Sequence, residues 1–161
     1  MSILVDLFKG LTEELATVLN PVSVERRYMP RQDLEDLDSM KISVFIMGAE
    51  HEELARDIAS ADRFSFGIAV QKAVGPQVAV DSNGDPVLDG IDNLAAGDAV
   101  LNQIEAIKDL WRPGGSLRNK PIAGCTFIEF ISEPVYESIH LVMQGIFTGV
   151  LDVTYSHSES T

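Results

Sequence analysis

Several stretches of this chain hold residue types that do chemistry. His51-Glu52-Glu53-Leu54-Ala55 opens like the H-E-x-x-H helix of zinc proteases, but Ala55 stands where the second ligand is needed. Asp81, Asn83, Asp85, Asp89 and Asp92 fall at the first, third, fifth, ninth and twelfth positions of a calcium loop. Pro86 occupies the sixth position, where such a loop needs glycine for its sharp turn, and proline holds φ near −65°. The twelfth ligand is also the shorter Asp, and the segment before it reads as strand. A polar hairpin tip is therefore the simpler reading, with this loop a weak calcium candidate. Arg112-Pro113-Gly114-Gly115, with Arg118 beyond it, has the ingredients of an anion loop, but GxxxxGK[ST] is absent. A surface loop is the default there. Arg26-Arg27 reads as an exposed strand edge before it reads as an anion site.

The nucleophile inventory is equally short. Cys125 is the single cysteine, so there is no disulfide framework and no thiolate cluster. It stands in an apolar strand pattern, which suits a small buried residue better than a nucleophile. His51, His140 and His157 fall in unrelated sequence contexts, and GxSxG and CxxC are missing. The residues give no catalytic group, no cofactor site and no enzyme class.

Composition narrows the function classes further. Twelve basic against 25 acidic residues leave a net charge of −13. Such a chain should avoid nucleic acid, because phosphate binding runs on Lys and Arg displacing counterions. The same balance disfavours an anionic membrane surface. No run reaches the ~18 apolar residues of a spanning helix, and MSILVDLFKG lacks the basic start of a secretory leader, so intracellular synthesis is expected. At 161 residues, one domain over 1–155 with a frayed polar tail at 156–161 is expected.

The elements that must position these residues follow from periodicity. Residues 63–74, RFSFGIAVQKAV, alternate Phe64, Phe66, Ile68 and Val70 with Ser65, Gly67, Ala69 and Gln71. Period two predicts a central strand with helices on its apolar face and something lying close on its small-residue face. Leu4, Leu7, Phe8, Leu11, Leu15 and Val18 predict an amphipathic helix over 3–19, capped by Ser2. A strand over 22–29 follows, then an acidic loop, then a strand over 41–47 ended by Gly48. HEELARDIA predicts a short helix over 51–59. A hairpin is expected with Val78 and Val80 on one arm and Val87 and Leu88 on the other. A long helix over 91–111 follows, with Leu94, Leu101, Ile104 and Trp111 on one face and Val100 and Ile107 beside it. Gly97 within it would permit close packing on the small-residue side of the central strand. A strand over 123–131 sets Thr126, Ile128 and Phe130 against Cys125, Phe127 and Glu129, and 145–155 forms the last strand. The fold class is α/β (α+β): a mixed, mostly antiparallel sheet of about five strands, two main helices on one face, and a β-hairpin extension.

That order, together with Tyr28-Met29-Pro30 and LEDL, RFSFGIAVQKAV, IDNLAAGDAVLNQIEAIKDLW, EPVYES and GIFTGVLDVTYS, resembles the tail terminator (tail completion, minor tail) proteins of long-tailed, siphovirus-like bacteriophages. The resemblance spans residues 3–155 and rests on order and texture. It implies a hexameric homo-oligomeric ring without catalytic residues. Such a ring caps the tail tube, stops its polymerisation, offers a surface to the head-completion connector, and lets DNA pass unbound. The protein would be assembled in the host cytoplasm and would reside in the virion tail. Under that reading the loops at 76–90 and 112–120 reach neighbouring subunits, and the acidic insertion at 81–92 is a departure. Closing a ring needs a heterologous interface. Strand edges, with Arg26, Arg27, Arg112 and Arg118 pairing to acidic groups of the adjacent subunit, are the expected contacts. Another neck or connector protein, or a small cytosolic calcium-binding module or enzyme, is the alternative.

Overall fold

The structure is a computed structural model that describes residues 2–28, 39–55, 59–73, 79–80, 82–83, 86–87, 91–131 and 146–160. Its elements run α1 (Ile3–Val18), β1 (Ser23–Arg26), β2 (Lys41–Ala55), β3 (Ala59–Ala73), β4 (Ala79–Val80), β5 (Pro86–Val87), α2 (Ile91–Trp111), β6 (Thr126–Ile131) and β7 (Ile146–Ser160). Five strands form one sheet in the order β1-β2-β3-β7-β6, and β4 with β5 forms a small separate ladder. β1 lies parallel to β2, while every other neighbouring pair is antiparallel. The fold is therefore α+β, with two helices on a mostly antiparallel mixed sheet.

The central strand stands where its alternation put it. Phe64, Phe66, Ile68 and Val70 are buried on the face shared with α1 and α2. Ser2 accepts from the Val5 N–H at 3.3 Å and starts α1. Leu7, Phe8, Leu11 and Leu15 then fall on one side and are buried. Phe8 meets Phe66 with ring centroids 5.7 Å apart. The apolar stripe is one residue shorter than its periodicity suggests, since Val18 is exposed. In α2 the buried line is Val100, Ile104, Ile107 and Trp111, and Leu101 lies outside it. Those four join the same core as the aromatic face of β3. Helix α2 thus packs on the aromatic side of the sheet, which leaves the small-residue side free of helices among the described residues.

That second side is organised differently. Phe45 sits opposite Gly67 in the β2–β3 pairing and lays its ring over the glycine. A Cβ at Gly67 would collide with the ring, so this strand position needs glycine for close approach. Gln71 donates to Thr148 Oγ1 at 3.2 Å, and both are buried; Ser65 and Thr154 hydroxyls lie 3.2 Å apart.

Several expectations change. β2 does not end at Gly48: a bulge at Met47 absorbs the break and the strand continues to Ala55. Residues 51–55 are strand, because His51, Glu52, Glu53 and Ala55 pair with Asp62, Ala61, Ser60 and Ala59 across a second bulge at Leu54, and that ladder overrides the helical look of HEELARDIA. The segment 156–160 is not a frayed tail, since β7 runs to Ser160 and pairs with the same stretch of β3. β1 is confined to four residues. The strand expected to begin at residue 123 begins at Thr126. Ile122 and Cys125 instead close a tight turn whose Ala123 and Gly124 both have positive φ, 50° and 76°. In β6 a bulge at Ile128 breaks the alternation, so Phe127 and Phe130 both pack inward. The hairpin arms at β4 and β5 pair as Ala79 with Val87 and Val80 with Pro86.

Candidate functional site

A shaped surface among the described residues lies where the C-terminus of α2 meets the edge strand β6. The chain stops α2 at Trp111 and turns at Gly114, whose φ is +88°. It then returns along the helix, with the Leu117 N–H donating to Leu110 O at 3.0 Å. This return sets Arg118 over the end of the helix. Its guanidinium donates to Trp111 O at 2.7 Å and lies 5.7 Å from the centre of the Phe127 ring. A cation there satisfies a carbonyl left without an intrahelical donor and complements the helix dipole.

Beneath it lies an aromatic floor. Trp111 is buried, stacks on Phe130 at 5.4 Å and 21°, and tilts against Phe127 at 6.4 Å. Its indole N–H donates to the Tyr155 hydroxyl at 3.0 Å. Burial pushes the Tyr155 phenol up to about 12, so it stays a neutral hydrogen-bonding group. Between helix and strand opens a cleft of about 440 Å³, lined by Lys108, Trp111, Arg112, Arg118, Phe127 and Phe130, with Glu129 also on its wall. A smaller hollow of about 150 Å³ continues it past Arg118 and Phe127 to Lys120 and Thr126. Lys108 and Arg112 pair with Glu105 at 3.1 and 2.9 Å, and Arg112 also pairs with Asp109. Those two cations, and chiefly the hydrogen bond from Lys108, hold the Glu105 carboxyl below its usual range. Lys120 reaches Glu14 at 2.8 Å.

The four arginines named from sequence divide between the two ends of the sheet. Arg26 lies on β1 with its guanidinium 5.2 Å from the Phe8 ring centre, and Arg27 follows it, 3.3 Å from Glu25. Arg112 and Arg118 line the cleft beside β6. The structure thus separates the pairs rather than gathering them.

The histidines correct the sequence reading. His51 and His157 are not in unrelated places: both flank Asp62 in one rank across β2, β3 and β7. His51 Nδ1 is 2.6 Å from Asp62 Oδ1. Only pairing between strands 106 positions apart produces this rank, and no local spacing signals it. His140 lies outside the described residues. Cys125 is buried, and burial together with the nearby Asp62 charge pushes its thiol up to about 11. It is a protonated packing residue, not a thiolate nucleophile. Among the described residues no three His, Cys, Asp or Glu side chains converge to hold a metal ion. Of the calcium candidates, Asn83 is exposed in a turn between β4 and β5. Asp81, Asp85 and Asp89 lie outside the described residues, and so does the side chain of Asp92. No helix among the described residues is long and apolar enough to cross a membrane.

Compared with protein-family models and with curated proteins, the chain matches none.

Proposed function

We propose that this chain is a structural protein of a phage tail. It closes into a ring that caps the tail tube, ends tube polymerisation and presents the surface to which the head-side connector joins. The ring meets tail tube protein on one side and the connector on the other. It catalyses no reaction and carries no cofactor.

The observation that carries this reading is the sheet's pair of unlike edges. A head-to-tail ring needs two different, mutually complementary patches on opposite sides of one subunit. β1 and β6 stand at opposite ends of the sheet and differ in what borders them: β1 carries Arg26 and Arg27 and ends after four residues, whereas β6 is flanked by a cleft floored by Trp111, Phe127 and Phe130 with Arg112 and Arg118 on its wall. The resemblance of residues 3–155 to tail terminators and the α+β architecture it implies support the same reading. The net charge of −13 suits a bore lined with acidic groups, which repels DNA phosphates and lets the duplex slide.

Electron microscopy of particles assembled without this chain tests the proposal. Overlong tube polymers are expected. Normal-length tails that lack heads would assign the chain to the connector instead. Sedimentation of the purified protein should give a mass several times 17.6 kDa, alone or with tail tube protein. A strict monomer under both conditions refutes the ring, and a basic bore in the assembled particle refutes the electrostatic account.

A further inference from the structure

An asparagine in water can react with its own backbone. The nitrogen of the next residue attacks the side-chain carbon Cγ and forms a C–N bond. Its proton departs with the side-chain nitrogen as ammonia, and a five-membered succinimide ring remains. Water then opens the ring on either side and leaves aspartate or isoaspartate. Closure needs a next residue that has an N–H, little side-chain crowding at that nitrogen, and torsions free to bring nitrogen to carbon.

The chain has five asparagines, and the structure sets four of them against this reaction. Asn20 precedes Pro21, which has no N–H to give. Asn93 and Asn102 lie within α2, where helical torsions are far from those of ring closure. Asn119 is exposed, but Lys120 follows it, with a side chain that crowds the nitrogen and an N–H donated to Leu117 O at 3.4 Å. Asn83 differs from all four. Gly84 comes next in sequence, with no side chain and the widest choice of torsions. Asn83 itself is exposed in the turn between β4 and β5. Those strands pair at Ala79 with Val87 and Val80 with Pro86, apart from the five-stranded sheet.

We infer that Asn83 is a site of spontaneous deamidation. The Gly84 nitrogen closes on Asn83 Cγ, ammonia leaves, and water is the only other reactant. Either product adds one negative charge to a chain already at −13, in a stretch that also holds Asp81 and Asp85. Isoaspartate further routes the main chain through the former side chain and adds a backbone carbon. A turn joining two short strands must then change its course. The reaction therefore alters both the charge and the path of the hairpin while the helix-packed core stays as it is. Nothing in this step uses the ring reading.

The test follows the purified full chain through storage in mildly alkaline buffer, sampled over time by peptide mass mapping. The peptide holding Asn83 should be the first to gain the mass difference between asparagine and aspartate, ahead of those holding Asn93, Asn102 and Asn119. Protein isoaspartyl methyltransferase should label that same peptide, since the succinimide route yields isoaspartate. On anion exchange the converted chain should elute later, as a more acidic form. Gly84→Val crowds the attacking nitrogen and should slow the conversion several-fold. Asn83→Gln should remove the label. A urea-unfolded sample gives the rate free of the fold. If native Asn83 lasts as long as Asn119, converts only once the chain is unfolded, or gives aspartate without isoaspartate, the inference is wrong. A monomer in sedimentation refutes the ring and leaves this inference untouched.

Discussion

The two faces of the five-stranded sheet hold the molecule by different means. The helix-covered face fills space with large side chains: Phe66, Ile68, Val70, Leu151, Val153 and Tyr155 against Leu7, Phe8, Leu11, Ile104, Ile107 and Trp111. The other face buries small and polar groups: Ser43, Ala69, Gln71 and Thr148, with Gly67 pressed under Phe45. On the first face error is penalised by volume. On the second it is penalised by collision or by a lost hydrogen bond. One face can therefore carry most of the stability while the other sets how closely the strands lie.

Substitutions can break that contrast, beginning with the largest effect. Phe66→Ala, at the centre of the aromatic face, should lower unfolding free energy by about 3–5 kcal/mol in denaturant titration. Gly67→Val, one residue along on the other face, adds volume yet should cost about 2 kcal/mol, because the Phe45 ring must leave its seat. Pairing it with Phe45→Ala should recover part of that loss; no recovery would mean that the ring is not the obstacle. Tyr155→Phe keeps the volume and removes the acceptor of the buried Trp111 N–H, which should cost about 1.5 kcal/mol and shift tryptophan fluorescence.

Two smaller effects sharpen the contrast. Burial raises the Asp152 carboxyl above its ordinary range. The folded state therefore holds that proton more tightly than the unfolded chain does. This contribution is complete below the ordinary Asp range and is lost as pH rises through the raised value. Asp152→Asn should flatten that part of the stability–pH curve, as followed by thermal melts across acid pH. Ser43→Ala should change stability by no more than about 0.5 kcal/mol, since its buried hydroxyl has no hydrogen-bond partner among the described residues.

The aromatic face was legible in the sequence because its signals are local. Alternation in β3 and three- and four-residue steps in α1 need only neighbouring residues. In α2 the helix was legible, but its inward side was misjudged by including Leu101, since several apolar residues compete there and only packing chooses. The second half of β2 was hidden for a stronger reason. Glu52, Glu53, Leu54 and Ala55 are good helix formers, and Gly48 looks like a stop. What makes them strand is the ladder to Ala59–Asp62, itself braced by 157–160 of β7. The polar end of β7 has no hydrophobic pattern to announce it, and its backbone pairing with β3 is what makes it strand. The cleft beside β6 was half visible. Arg112 and Arg118 were named, but Trp111, Phe127, Phe130 and Tyr155 meet only after a bulge at Ile128 and a contact 44 residues long.

β2, β3 and β7 are each fifteen residues long and paired along nearly their whole length. Fifteen residues of strand extend ~50 Å, well past the usual strand of about five or six. Three such strands laced together resist bending as a plank does. A load applied near His51 and His157 would reach the far end as a tilt of the whole board, with little absorbed on the way. Under the proposed ring reading, that stiffness would let one end sense whether the other is occupied.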